Sequence, residues 1–475
     1  MALLSVALLC VFTMGAGAAV ARLLPPRLVL WEIPRVAGRA FPAPGPVFRP
    51  ASGAVADPGD RASGLSATPD ALSADLASLL SAPALGPHVG LEVTDLATGK
   101  VLDARGARSA FAPASTAKLA TAVAALDVLG PLARLKTRVV DGPSSVILVG
   151  GGDPTLAAGR PPRSDYPQPA TLQSLAAATA RALRARGRRS VRLRYDTSLF
   201  TGPVFAPGWQ ASYVTTGNVT AITSLEVDQG RLTATGAPQD ADDPANFRPR
   251  SPNPAADATA VFAGFLRHDG IRVLGAAGPQ RAPAGSVTLA SVSSPTVAQM
   301  VQWMLTESNN VIAEDLARQV AIATGRPASF AGAASAERAT LRTLGIHGGI
   351  RLVDASGLSP ADRVTPAALV ALLSLAAADS RLRAVITGLP VAGFSGTLSP
   401  GQSVFAAVGR AGLGVVRAKT GNLTSVAVLA GIAYARDGQL LAFAVMADRL
   451  PAGQLAAAGA DMARLATILA GCGCR

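Results

Sequence analysis

Apolar and polar positions follow two periods along this chain, and the switches between them outline its elements. After Pro69-Asp70, the stretch ALSADLASLL repeats its leucines at helical spacing. HVGLEVTDLATGKVLDARGA then alternates at period two on either side of Ala97-Thr98-Gly99-Lys100, which predicts two strands and a turn. Pro113-Ala114-Ser115 opens a helix, because Leu119, Val123 and Leu126 recur at i, i+4 and i+7 and Gly130-Pro131 stops the pattern. Ser115 is thereby placed at a helix N-terminus, with Lys118 one turn later on the same face.

From about residue 136 to 289 the pattern changes. VILVGGGDPTL predicts a strand and a glycine-rich turn, and VRLRYDTSLF, the turn at Pro207 to Trp209, and VTAITSLEVDQGRLTATG predict further short strands. This block reads as a β-rich insertion. Helical spacing resumes at Ser294-Pro295, a cap followed by proline at the first helical position. Val297, Met300, Val301, Met304 and Leu305 form its buried stripe, and Ser308-Asn309-Asn310 links it to the next helix, VIAEDLARQVAIA. After Gly421, SVAVLAGIAYA and QLLAFAVMA predict two apolar strands joined at Arg436-Asp437-Gly438, and AAAGADMARLATILAG predicts a closing helix. Lys419 therefore begins an antiparallel hairpin whose outer face helices cover. The fold class expected is α+β, an antiparallel sheet flanked by helices.

At 475 residues the chain has room for two or three domains. Residues 2–21 carry no charge and run from ALLSVALLCVF to small residues ending Ala19-Val20-Ala21. That order predicts a cleaved export signal, and a span of about 20 apolar residues equally predicts an uncleaved anchor. Either places the rest of the chain outside the cytoplasm. The expected organisation is a signal or anchor over 1–21, a Pro/Gly/Ala-rich linker over 22–70, one domain built from 71–135 and 290–475, and an inserted domain over 136–289.

The net charge of +13, from 43 basic and 30 acidic residues, admits an anionic partner or arginines spread over a solvated surface. Nucleic acid is excluded as a reading, since no basic run is interleaved with aromatics. Cys10, Cys472 and Cys474 build no disulfide framework, and His88, His268 and His347 are too dispersed for zinc. No metal or other cofactor is expected. The Gly150-Gly151-Gly152 run lacks the Lys-Ser/Thr of a phosphate loop.

Candidate chemistry comes from lysine. Only Lys100, Lys118, Lys136 and Lys419 occur among the 43 basic residues. Arginine stays protonated, whereas a buried lysine can lose its proton and act as a base. Two of the four lysines fall in Ser115-Thr116-Ala117-Lys118 and Lys419-Thr420-Gly421, with Ser308-Asn309-Asn310 between them. A chance Lys-Thr-Gly is expected roughly 0.03 times in such a chain and a chance Ser-x-x-Lys roughly 0.3 times. A second Ser-x-Asn, Ser251-Pro252-Asn253, lies in RPRSPNPA, too proline-rich for a rigid helix pair. Singly, Ser115 reads as a helix cap and Lys118 as a solvated residue; the ordered triple favours chemistry. A serine hydroxyl needs an adjacent base, which Lys118 supplies if a desolvated, cation-rich pocket lowers its pKa. The Ser115 N–H suits an oxyanion. Ser308 and Asn310 can relay a proton and hold an amide, while Lys419 and Thr420 can bind a terminal carboxylate.

With these motifs, and with GGGDPTL, YDTSLFTGP, PGW, RPRSPNPA, DASGLSP and SGTL around them, the chain resembles the D-alanyl-D-alanine carboxypeptidase/endopeptidase family, the class C low-molecular-mass penicillin-binding proteins, from about residue 75 to 470. The resemblance implies a serine transpeptidase/β-lactamase-like fold with an inserted domain. It implies Ser115 as the acylated nucleophile, Lys118 as its base, Ser308 and Asn310 as the second motif, and Lys419, Thr420 and Gly421 as the third. The Asn422 N–H would complete the oxyanion hole. The implied substrate is the D-Ala-D-Ala end of a peptidoglycan stem peptide, with the D-centred cross-link as a second candidate and β-lactams as inhibitors that acylate Ser115. Membrane contact is expected only through the N-terminal segment. A bacterial wall with acidic polymers suits the charge. Two departures stand out: relatives often carry Thr or Ser where Asn422 stands, and many carry Arg after SGLS, where this chain has Pro360, with Arg363 nearest. The rival readings are a β-lactamase, against which the Glu-x-x-Leu-Asn signature is missing, and a non-catalytic peptidoglycan-binding protein, against which the triple is intact.

Overall fold

The structure is a computed structural model, and it describes residues 69–142, 144–161, 166–232, 249–400, 403 and 405–471. The segment expected to be a signal or anchor, almost all of the expected linker, and Cys472 and Cys474 lie outside the described residues.

Two five-stranded sheets organise the molecule. The first runs in the order β10–β11–β12–β1–β2, antiparallel throughout. Its strands are β1 (Val89–Asp95), β2 (Val101–Arg105), β10 (Val416–Leu423), β11 (Val426–Tyr434) and β12 (Leu440–Ala447). The near-continuous apolar runs of β11 and β12 follow from burial on both faces. Side chains alternate at period two, so Val428, Ala430, Ala444 and Met446 enter one core, with the Lys118–Leu129, Val297–Thr306, Asn310–Ala323 and Pro366–Ala378 helices. Their neighbours Leu429, Ala433, Phe443 and Val445 enter the other, with Leu72, Leu76 and the Leu455–Gly471 helix. The two strands, the turn and the closing helix predicted at this end are all present. Lys419 lies on β10, the edge strand, which turns at Thr424-Ser425 into antiparallel β11; it thus stands on the first arm of a hairpin, and β12 extends that hairpin into a three-stranded meander.

Residues 136 to 293 form the second sheet, in the order β6–β5–β4–β3–β7. Its strands are β3 (Lys136–Asp141), β4 (Val146–Val149), β5 (Ser190–Asp196), β6 (Arg272–Pro279) and β7 (Thr288–Ser293). The β4–β5 and β5–β6 pairs are parallel. Parallel neighbours need crossovers, which the Leu172–Ala185 and Pro254–His268 helices supply while packing a separate core. The apolar and polar pattern predicted neither helix. Pro254, in the segment set aside as proline-rich, stands in the first turn of one of them, where a missing N–H costs nothing. The alternation over Val219–Val227 produces no strand, because its backbone bonds go to scattered partners and form no ladder. A two-stranded ribbon, β8 (Ile350–Arg351) with β9 (Arg363–Val364), brackets the Asp354–Pro360 loop.

The helix predicted to be capped by Ser294 is capped two residues later, by Thr296. Its side chain and that of Gln299 form a reciprocal capping box. The predicted stripe from Val297 to Leu305 is fully buried.

Candidate active site

Ser115 sits in a single tight turn, Ala114–Ala117, that runs directly into the Lys118–Leu129 helix. The residue before it, Ala114, is held at φ 45°, a conformation unfavourable for a side chain bearing Cβ. What holds it is contact from both sides. Gly357 packs against the Ala114 carbonyl so closely that an added Cβ would lie 1.8 Å from that oxygen. On the other side a Cβ on Gly421 would lie 2.6 Å from the Pro113 oxygen and 3.3 Å from the Ser115 nitrogen. Gly357 also takes φ 82°, so Gly357→Ala adds backbone strain to a direct clash. It should destabilise the protein by about 3 kcal/mol and slow acylation. Denaturant unfolding and penicillin labelling measure both, and unchanged values would contradict this packing.

Lys118 is fully buried, and its amine meets three oxygens. They are Ser115 Oγ at 2.9 Å, Asn310 Oδ1 at 2.7 Å and the Ser356 carbonyl at 2.7 Å. Burial pushes the amine down to about 7 from the usual lysine range, against the negative charges of Asp354, Glu314 and Asp362, which favour the ammonium.

Ser308 and Asn310 lie at the joint between two helices. Asn309 caps the second by accepting from the Ile312 N–H at 3.1 Å, and Ser308 takes φ 57° to make the sharp turn. Such a conformation costs on the order of 1 kcal/mol. It turns Ser308 toward Lys419, whose Nζ donates to Ser308 Oγ at 2.9 Å and to the Thr420 carbonyl at 2.9 Å. Asn310 also donates through Nδ2 to the Asn218 carbonyl at 2.8 Å. Lys419 is fully buried too. Burial, then the nearby Lys118 charge, hold its amine well below the usual range, with Glu307 pulling the other way.

The edge strand completes the arrangement. The Ala418 N–H bonds the Pro390 carbonyl on the side of β10 away from β11. Backbone directions repeat every second residue in a strand, so the Thr420 and Asn422 N–H groups also face that open side. Thr420 Oγ1 meets Thr397 Oγ1 at 3.0 Å. A cavity of about 880 Å³ opens here, lined by Ser115, Asn218, Ser308, Asn310, Thr420 and Asn422 among others.

The three motif segments thus converge on one cleft. Arg363 does not line it and donates instead to the Pro360 and Asp362 carbonyls of its own loop. Three participants escaped the sequence reading: the Ser356 and Asn218 carbonyls and the Thr397 hydroxyl. Main-chain carbonyls occur at every residue and leave no compositional trace. Ser356 and Thr397 fall in DASGLSP and SGTL, which resemblance marked without assigning a role.

Residues 72–251 and 231–469 match the D-Ala-D-Ala carboxypeptidase 3 (S13) family. The chain is 39% identical to carboxypeptidase DacB of Mycolicibacterium smegmatis, over 91% of this chain and 90% of that protein. It is 30% identical to the D-alanyl-D-alanine carboxypeptidase of an Actinomadura species, over 79% of this chain and 80% of that one. Among solved structures, penicillin binding protein 4 of Haemophilus influenzae in complex with a β-lactam covers 82% of this chain and 97% of its own, with a TM-score of 0.61 at 24% identity. The last likeness concerns the fold, the α+β serine transpeptidase architecture. Matched from residue 72 to residue 469, and carrying the three motifs around one cleft, this chain belongs to the D-Ala-D-Ala carboxypeptidase 3 (S13) family.

Proposed function

We propose that the cleft removes the terminal D-alanine of peptidoglycan stem peptides by acyl transfer through Ser115. One observation carries the reading: the buried Lys118 amine contacts Ser115 Oγ while two pure acceptors, Asn310 Oδ1 and the Ser356 carbonyl, occupy its other positions. A neutral amine has two N–H bonds and one lone pair. The two acceptors take the hydrogens, and the lone pair faces the serine hydroxyl.

The reaction then runs as follows. Ser115 Oγ attacks the carbonyl carbon of the penultimate D-alanine as its proton passes to Lys118. The carbonyl oxygen becomes an oxyanion held by the N–H groups of Ser115 and Asn422. Collapse breaks the C–N bond. The leaving amine takes a proton from Lys118, directly or through Ser308. Lys419, with the Thr420 hydroxyl, binds the terminal carboxylate, and Asn310 holds the substrate amide. Gly421 lets the strand approach the nucleophile. Water then attacks the acyl-enzyme, giving the shortened peptide and free Ser115.

β-Lactams present the same carbonyl beside a carboxylate, so they acylate Ser115 as well. The H. influenzae complex supports this reading, as does the place of action outside the cytoplasm that a peptidoglycan substrate requires. Release of the drug should be slow, with nitrocefin consumed at close to one equivalent per protein on a time scale of minutes. Rapid continuous turnover would instead indicate a β-lactamase.

A synthetic pentapeptide stem and a cross-linked dimer, each incubated with the protein and weighed by mass spectrometry, test the function. Loss of one alanine from the pentapeptide is the expected result, and splitting of the dimer would add endopeptidase action. Neither change with active-concentration protein would leave only a peptidoglycan-binding role.

A further inference from the structure

The third contact on Lys118 is a main-chain carbonyl on a loop, and it stays aimed only while the loop is held. Glu314 holds it. Its Oε1 accepts from the Ala355 N–H at 3.1 Å and from the Ser356 N–H at 2.9 Å. A second hold comes from Thr121, which donates through Oγ1 to the Ala355 carbonyl at 2.9 Å. Asp354 ties off the far end, accepting from the Gly357 and Ser359 N–H groups at 2.7 Å each and from Trp209 Nε1 at 2.6 Å.

Glu314 is fully buried, and its other oxygen lies 3.7 Å from Arg318 Nη1. Arg318 is itself buried, its guanidinium 4.0 Å from the Phe330 ring centre. A carboxylate here carries a desolvation cost that an apolar residue would avoid. The position explains why one is kept. Glu314 is one turn beyond Asn310 on the Asn310–Ala323 helix. That single helix therefore supplies one acceptor for Lys118 directly and aims the other through the loop.

We infer that Glu314 is a positioning residue for acylation: by gripping the Ala355 and Ser356 amides it fixes the Ser356 carbonyl on Lys118, so that the amine's lone pair is left facing Ser115. This rests on the reading of Lys118 as the base. Without the grip the amine rotates, and Ser115 loses its proton acceptor for much of the time. The titratable groups that face Lys118 are Asp354, Glu314 and Asp362, with burial raising the Glu314 and Asp362 carboxyls, and Lys419 lies across the cleft; Glu314 itself faces Asp354 and Arg318, and it raises Glu337.

The test is the rate of acylation by a fluorescent penicillin between about pH 5.5 and 9, in the wild type, Glu314→Ala, Glu314→Gln, Thr121→Val and Ser115→Ala. Glu314→Ala should lower the limiting rate about 10²-fold with little change in the concentration giving half the maximal rate. Glu314→Gln keeps an oxygen for both amides and should stay within about fivefold of wild type. Thr121→Val, losing one hold on the same loop, should fall between. Folded Glu314→Ala reacting at the wild-type rate would overturn the inference, as would Glu314→Gln as slow as the alanine variant. If Glu314→Ala does not fold, Thr121→Val at the wild-type rate overturns it equally. A wild type without an acid limb, or labelling that persists in Ser115→Ala, would instead mean that the underlying reading of the site is wrong.

Discussion

Replacing Ser115 by alanine is expected to lower peptide turnover by about 10⁶-fold, the scale seen when a serine hydrolase loses its nucleophile. The change removes one oxygen from a half-buried side chain in a turn held by its neighbours. The backbone around Ala114 and Gly357 should therefore stay as it is, and melting temperature should change little. Substrate binding should also survive, because Thr420, Asn310 and the Asn422 N–H do not depend on the hydroxyl. The loss should accordingly appear in kcat and leave KM nearly unchanged. Covalent labelling by penicillin should vanish with it. Residual labelling on another residue would show that the nucleophile lies elsewhere.

Lys118→Arg should cost about 10⁴-fold, the upper end for loss of a general base. The substitution keeps a cation of similar reach, so it isolates the point at issue. A guanidinium does not give up its proton in this pH range, and it has no lone pair to offer Ser115. It would also be forced into a fully buried position beside Asp354, Glu314 and Asp362. Part of the loss will therefore come with a fall in stability, which Lys118→Met helps to separate. Methionine fills similar volume without charge, and it should be as inactive as arginine while differing in melting temperature. If Lys118→Arg retains more than about a tenth of wild-type acylation, the lysine acts as a cation and not as a base.

Much of this was legible because the chain uses lysine so sparingly. In a protein that otherwise chooses arginine, Lys118 and Lys419 stood out, and both amines meet motif hydroxyls. The central strands were legible for a different reason. β11 and β12 are apolar at every position, and only burial on both faces makes that pattern stable in a strand. The Pro254–His268 helix was hidden by its alanines, which give little contrast between faces, and by the proline that starts it. Val219–Val227 misled through its alternation. Its backbone bonds go to scattered partners, with Ser224 accepting from Gly152, Ile222 donating to Val204 and Asp228 donating to Leu156. The contacts that orient Lys118 were illegible in principle. Ser356 contributes a carbonyl, and Glu314 reads in sequence as an ordinary helix charge until the fold buries it.

The most direct measurement is the pH dependence of the acylation rate of the wild-type protein by benzylpenicillin. In the proposed mechanism Lys118 acts only when neutral, and burial lowers its amine to about 7. The rate should therefore rise about tenfold per pH unit below that value and level off above it, as one proton leaves a single group. A rate that is flat from about pH 5 to 9, or that climbs only near the ordinary lysine value of about 10.4, would contradict an uncharged amine at the nucleophile.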